Sequence, residues 1–139
     1  MIRAATAADV DAVLALWGTI GRVIPTTPDT PEALVTLIER DPGALLVADL
    51  DGAVVGTLIA GWDGWRGDMY RLAVAAPHRR RGIATALVRA AEERLRALGC
   101  RRVTALVAAG DPRGAAFWEA TGYPRDELTA RHVRNIVTA

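Results

Sequence analysis

Between an apolar stretch, Met69 to Val74, and an amphipathic one, Ile83 to Leu98, stands the hexapeptide Arg79-Arg80-Arg81-Gly82-Ile83-Ala84. Ile83, Leu87, Val88, Ala91, Leu95 and Leu98 recur at three- and four-residue steps, which predicts one buried helix face. A glycine-containing turn that enters a helix leaves the first backbone N–H groups without intrahelical partners. The helix dipole adds partial positive charge at the same place, so it suits a phosphate. Three arginines strengthen that preference, and Gly82 lets an oxygen approach where a Cβ would obstruct it. The other reading of the same residues is a solvated basic cap.

Other phosphate loops are excluded. A Walker loop needs a lysine after its second glycine, and the chain contains none; a dinucleotide fingerprint needs G-x-G-x-x-G behind a strand, and that spacing is missing. The pattern R-x-x-G-x-A resembles the coenzyme A signature, Q/R-x-x-G-x-G/A, of the GNAT superfamily of N-acetyltransferases. Downstream, the apolar strand Val103 to Val107 leads into Asp111-Pro112-Arg113-Gly114-Ala115-Ala116-Phe117-Trp118-Glu119-Ala120-Thr121-Gly122-Tyr123. That run resembles the second GNAT signature, N-x-x-A-x-x-L/F-Y-E-x-x-G-F, in register. The resemblance is to the small, single-domain bacterial members and is most specific from Tyr70 to Tyr123.

Composition narrows the function further. At 139 residues the chain is expected to be one domain spanning 1–139. No apolar run is long enough to cross a bilayer, and Met1-Ile2-Arg3-Ala4 lacks the form of a signal peptide, so a cytoplasmic location and no membrane partner are expected. Serine, glutamine and lysine are all missing, which removes serine hydrolase and lysine Schiff-base chemistry. All 17 cationic Lys/Arg positions are arginine, balanced by 16 carboxylates to a net charge of +1, which argues against nucleic-acid binding. Cys100 follows Gly99 at a helix end and reads as an inert thiol rather than a nucleophile. With two histidines and one cysteine far apart, no metal site is expected.

The chain order predicts an α/β (α+β) fold. A strand at Ile2 to Ala5 precedes Thr6, a cap for a helix carrying Val10, Val13, Leu14 and Trp17. Gly18 and Gly21 loosen the end of that helix, and Ile24 to Asp29 reads as a loop. A second helix opens at Thr30-Pro31 and runs through Arg40. Ala44 to Leu50 and Val54 to Ala60 form a hairpin around Asp51-Gly52. The glycine-punctuated loop Gly61 to Gly67 comes next, then the strand at Tyr70, the arginine turn and its helix, the Val103 strand, the Phe117 helix and a last strand near His132 to Val137. A mixed sheet flanked by helices follows. The GNAT resemblance implies that the two central strands, beginning near Tyr70 and Val103, splay apart and admit coenzyme A between them.

The resemblance also implies roles. Leu72, Ala73 and Val74 would lie along the cofactor, with a backbone N–H near Val74 polarising the thioester. Arg79, Arg80, Arg81, Gly82, Ile83, Ala84 and Thr85 would hold the pyrophosphate. Asp111, Phe117 and Trp118 would line the pantetheine arm. Three positions depart from the family pattern: Trp118 stands where many relatives have a proton-donating tyrosine, Asp111 where they have asparagine, and Leu106 where some carry a glutamate base. An indole N–H cannot supply a proton at neutral pH. Replacement candidates are Tyr70, Tyr123 and Asp68, each of which also fits plain packing or a turn. Trp62, Asp63, Trp65 and Arg66 read either as an acceptor clasp, with Asp63 facing an ammonium and Arg66 an acid group, or as a packed hairpin end.

The expected activity is direct acetyl transfer from acetyl-CoA to a primary amine of a small molecule, amino acid or protein N-terminus. Family members often dimerise, so the resemblance leaves both a monomer and a homodimer open. The alternative is a non-catalytic acyl-CoA-binding regulatory module.

Overall fold

Successive apolar residues along the strands point to opposite faces of a single sheet and supply two cores. The computed structural model describes residues 1–20 and 27–136. The strands are β1 (Ile2–Ala4), β2 (Leu45–Leu50), β3 (Ala53–Trp62), β4 (Gly67–Val74) and β5 (Val103–Ala105). The helices are α1 (Val10–Gly18), α2 (Pro31–Arg40), α3 (Ile83–Leu98) and α4 (Pro112–Ala120). The strand order is β1-β2-β3-β4-β5, antiparallel except for the parallel β4–β5 pair. The expected mixed sheet with flanking helices is what the chain forms.

Leu46, Leu58, Ala60 and Met69 face α3 and meet Leu87, Val88, Ala91 and Leu95, with Trp118 of α4 completing this layer. Leu45, Val47, Ile59 and Ala73 face the other way, against Val13, Leu16 and Trp17 of α1 and Leu34 of α2. Burial of both faces requires strands that are apolar in nearly every position, as β2 and β3 are. Gly56 lets α3 settle close to the sheet. A Cβ there would stand 3.1–3.2 Å from Leu87, Ile83 and the carbonyl of Ala73.

Local capping follows the sequence. Thr30 Oγ1 accepts from Ala33 N at 3.1 Å with Pro31 in the first turn of α2, and Asp111 Oδ1 accepts from Gly114 N at 2.9 Å at the start of α4. Gly18 closes α1, while Gly21 and the first part of the expected loop, Ile24 to Thr26, lie outside the described residues.

Two expected strands need correction. The Val103 strand is shorter than expected and ends at Ala105. No strand forms over residues 132–136, and Val137 lies outside the described residues. The apolar residues of that tail find no face to cover: Val133 is 72% and Ile136 92% exposed. Arg131, Arg134 and Asn135 interrupt the alternation that a half-buried strand requires.

β4 and β5 pair only from Gly67–Val103 to Met69–Ala105, with one further bond from Leu106 N to Met69 O at 2.9 Å. β4 runs on to Val74 without a β5 partner among the described residues. The two strands therefore diverge, as the resemblance implies.

A half-buried ion pair ties the start of the chain to this frame. Asp9 accepts from Arg3 Nη1 and Nη2 at 2.8 and 2.9 Å and from Thr6 N at 2.8 Å. The Arg3 guanidinium holds the Asp9 carboxyl well below the usual range, at about 2. Because the folded value lies below the unfolded one, the stabilisation is complete above the unfolded value of roughly 4 and is lost as pH falls toward 2. Thermal melts of the protein and Asp9→Asn should differ at neutral pH and converge between about pH 4 and 2. A melting gap that stays constant across that window would contradict this assignment.

Candidate active site

A bulge in β4 organises the open end of the sheet. Register runs Ile59–Tyr70 and then Thr57–Ala73, so Arg71 and Leu72 together stand opposite the single residue Leu58. Arg71 has φ +59, a left-handed conformation that non-glycine residues adopt at a cost of roughly 1–2 kcal/mol. Met69 and Leu72 pack on the α3 side, whereas Tyr70 and Ala73 belong to the α1 side. Arg71 also turns to the α1 side, its guanidinium carbon 4.5 Å from the centroid of the Trp17 ring. The extra residue thus puts two consecutive side chains, Tyr70 and Arg71, on one face.

Beyond the bulge, Ala73 and Ala75 bond toward β3, Ala75 N reaching Val55 O at 2.8 Å. Alternation turns the backbone of Leu72 and Val74 away from β3 and into the gap. Val74 O accepts from Arg79 Nε at 3.1 Å, which fastens the end of β4 to the arginine turn. Arg80 (φ +63) and Gly82 (φ +80) curl that turn, and Gly82 caps α3 without any side-chain hydrogen bond. The first helical bond is Ala86 N to Gly82 O at 3.0 Å, so the N–H groups of Ile83, Ala84 and Thr85 have no intrahelical partner. A Cβ on Gly82 would meet nothing within 4 Å, which marks open space over the turn. Arg80 and Arg81 are exposed beside it. These features suit a pyrophosphate with an extended arm running into the gap.

The candidate proton carriers separate clearly. Tyr123 donates its hydroxyl to Glu92 Oε2 at 2.7 Å and lies edge-on to Trp118, centroids 5.1 Å apart. Burial first, and then the Glu92 hydrogen bond, push its phenol up. Tyr70 is half-buried on the α1 face, and no hydrogen bond engages its hydroxyl among the described residues. Burial raises its phenol, and the charges of Asp68 and Asp41 raise it further, so it stays protonated at neutral pH. Asp68 pairs with Thr104 across the closed part of the sheet, two residues before Tyr70 and on the same face.

The second signature lies on α4 and its cap. Trp118 is 5% exposed and sits in the α3-side core, with Phe117 edge-on at 5.5 Å. Asp111 spends one carboxylate oxygen on capping α4.

The Gly61 to Gly67 segment lies far from the arginine turn. It forms the β3–β4 turn at the paired end of β4, roughly 23 Å along the strand from Val74 at about 3.3 Å per residue. Trp62 extends β3 and packs against the α3-side core, near Gly99. Asp63 Oδ1 accepts from Trp65 N and Arg66 N, both at 2.8 Å, and these two donors hold its carboxyl below the usual range. Trp65 is 83% exposed, with the Arg66 guanidinium 5.9 Å from its ring centroid. Asp63, Trp65 and Arg66 thus cluster at the turn, while Trp62 faces the α3-side core.

Sequence reasoning missed Thr57, Arg71 and Asp29. Thr57 is a lone hydroxyl in the apolar run of β3, and that isolation is the signal that could have found it. Arg71 pairs with Asp29, just before α2.

With this geometry in place, the family follows. The sequence pattern of the Acetyltransferase (GNAT) family matches residues 13–123, and the chain belongs to that family. It is an acyltransferase of the small single-domain type. Among similar proteins are an acetyltransferase of Pectobacterium atrosepticum, 36% identical over 71% of this chain and 70% of its own, and one of Yersinia enterocolitica, 31% identical over 98% and 96%. Two solved structures share the fold. Ard1 from Thermoplasma volcanium has a TM-score of 0.78, 21% identity and coverage of 88% and 80%. AAC(6')-Iy in complex with the bisubstrate analogue CoA-S-monomethyl-acetylneamine has a TM-score of 0.76, 18% identity and coverage of 97% and 97%. Among the described residues no helix is long and apolar enough to cross a membrane, and no group of His, Cys, Asp or Glu could hold a metal ion.

Asp63 gives the hairpin end a direct test. Asp63→Ala should lower the melting temperature, because the turn loses the acceptor of two backbone N–H groups. Thiol release from acetyl-CoA with any active amine should stay within about twofold of the parent, as expected for a residue outside the reacting site. A large fall in kcat/KM for the amine at unchanged stability would restore the acceptor clasp.

Proposed function

We propose that the protein is an acetyl-CoA-dependent N-acetyltransferase that transfers the acetyl group directly to a primary amine. The observation that carries this reading is the continuity of open backbone donors, from Leu72 and Val74 in the gap to Ile83, Ala84 and Thr85 at the start of α3. Arg79 joins the two stretches through Val74 O. In this reading acetyl-CoA supplies a thioester whose carbonyl carbon accepts the amine nitrogen as the C–S bond breaks.

The arginine turn holds the pyrophosphate through backbone N–H groups and the exposed Arg80 and Arg81. The residues of β4 present donors to the acyl carbonyl, and such preorganised donors are worth about 10²–10³ in rate. Tyr70 is proposed to protonate the departing thiolate, because its phenol is held neutral and its hydroxyl makes no hydrogen bond among the described residues. Asp68, on the same face, is proposed to take the proton that the attacking ammonium must lose. The bond from the Tyr123 hydroxyl to Glu92 favours Tyr70 over Tyr123 for this work. The acceptor then enters from the α1–α2 face, toward which Tyr70 and Arg71 point.

Two measurements examine this. Calorimetric titration of Gly82→Val with coenzyme A should show binding weakened by tenfold or more in a protein whose circular dichroism is unchanged. Unchanged affinity in the folded variant would remove the pyrophosphate assignment. Tyr70→Phe should lower turnover by roughly 10²-fold, the scale of a lost general acid, with little change in coenzyme A affinity. Tyr123→Phe should instead cost about 1–3 kcal/mol of stability and leave turnover within about twofold. The reverse pattern would move the acid to Tyr123.

A further inference from the structure

We propose that Thr57, held by Trp17, is the positioning residue that keeps the β4 bulge aimed at the acyl carbonyl. The Thr57 side chain is fully buried, at 0% exposure, in the middle of β3. Its Oγ1 accepts from Trp17 Nε1 at 2.9 Å and donates to Arg71 O, also at 2.9 Å. One hydroxyl therefore links the buried ring of α1 to the carbonyl of the residue that carries the left-handed φ.

The link has directional consequences. The indole N–H can only donate, so Thr57 Oγ1 must accept from it, and the hydroxyl proton is then directed to Arg71 O. Every partner is fixed, and the network has one orientation. Arg71 O, turned to the β3 side chain, is withdrawn from the gap, and the bulge leaves Leu72 facing it. The Arg71 side chain adds a second tether by lying over Trp17 and pairing with Asp29. Without the hydroxyl, Arg71 O loses its partner in a half-buried place, and β4 gains a reason to return to regular pairing. Regular pairing would put Tyr70 and Leu72 on the same face, so one of the two would turn over. Thr57 touches neither the proposed cofactor nor the acceptor, so it acts through β4.

This inference rests on the acetyl-CoA reading, and the test separates the two. Thr57→Val keeps the shape and removes the hydroxyl; Thr57→Ser keeps the hydroxyl. In the ligand-free protein, the backbone amide resonances of Arg71 and Leu72 should shift in Thr57→Val and return toward the parent in Thr57→Ser. With acetyl-CoA labelled with carbon-13 at the carbonyl, the parent and Thr57→Ser should show a downfield shift on binding, and Thr57→Val should lose most of it. The affinity for coenzyme A itself should stay within about twofold, and turnover should fall by tenfold or more, toward the roughly 10²-fold loss of an oxyanion donor. If Thr57→Val does not fold, Trp17→Phe removes the indole N–H while keeping an aromatic ring. It should reproduce the same spectroscopic loss in part. Unchanged Arg71 and Leu72 amides and an unchanged carbonyl shift in either folded variant would overturn the proposal. A parent protein that binds no coenzyme A would instead overturn the reading beneath it, and the amide shifts of the free protein would still judge the bulge.

Discussion

One extra residue in β4 decides where the rest of the site lies. Arg71 and Leu72 opposite Leu58 turn two successive side chains onto the α1 face and leave Leu72 and Val74 with their backbone toward the gap. A left-handed arginine in a strand is unfavourable by itself, so something must offset it. An exposed ion pair such as Arg125–Glu127, both side chains 76% exposed, contributes only about 0–1 kcal/mol. Leaving a buried donor or acceptor unsatisfied costs about 1–3 kcal/mol. The buried Trp17–Thr57–Arg71 chain is therefore the stronger restraint, supported by the cation over the Trp17 ring.

The second constraint is the seat of α3. Gly56 allows Ile83 and Leu87 to approach β3 closely, and Arg79 clamps the turn to the end of β4. These contacts set the helix N-terminus beside the gap rather than above it. A family fold with splayed strands acquires in this way one continuous surface of backbone donors. Acyl transfer needs such donors where charge develops, and backbone groups supply them whatever side chains surround them.

Much of this was legible in the sequence, for reasons that differ by element. The helix periodicity from Ile83 and the Gly82 turn are local signals, and both stand where the sequence puts them. The hairpin at Asp51-Gly52 is equally local, with φ +53 and +87 at the two residues. The bulge was not legible, because it depends on Thr57 meeting Arg71 across two strands and on Trp17 arriving from a helix 40 residues away. The Trp62 to Arg66 loop kept two readings in the sequence, clasp or packed hairpin end, because charge and aromatic content do not reveal at which end of a strand a turn will lie. The tail near His132 misled in another way: short apolar spacing suggests a strand, but pairing requires a neighbour whose edge it can reach. Trp118 stands at the family position, and its ring is buried in the α3-side core.

Amide hydrogen exchange, read residue by residue with and without coenzyme A, tests the central claim most directly. If the gap and the arginine turn form one acyl-CoA surface, added coenzyme A should slow exchange together at Leu72, Val74, Ile83, Ala84 and Thr85, while the Asp63 to Arg66 turn stays unchanged. Protection confined to another face, or at α3 without β4, would contradict the account.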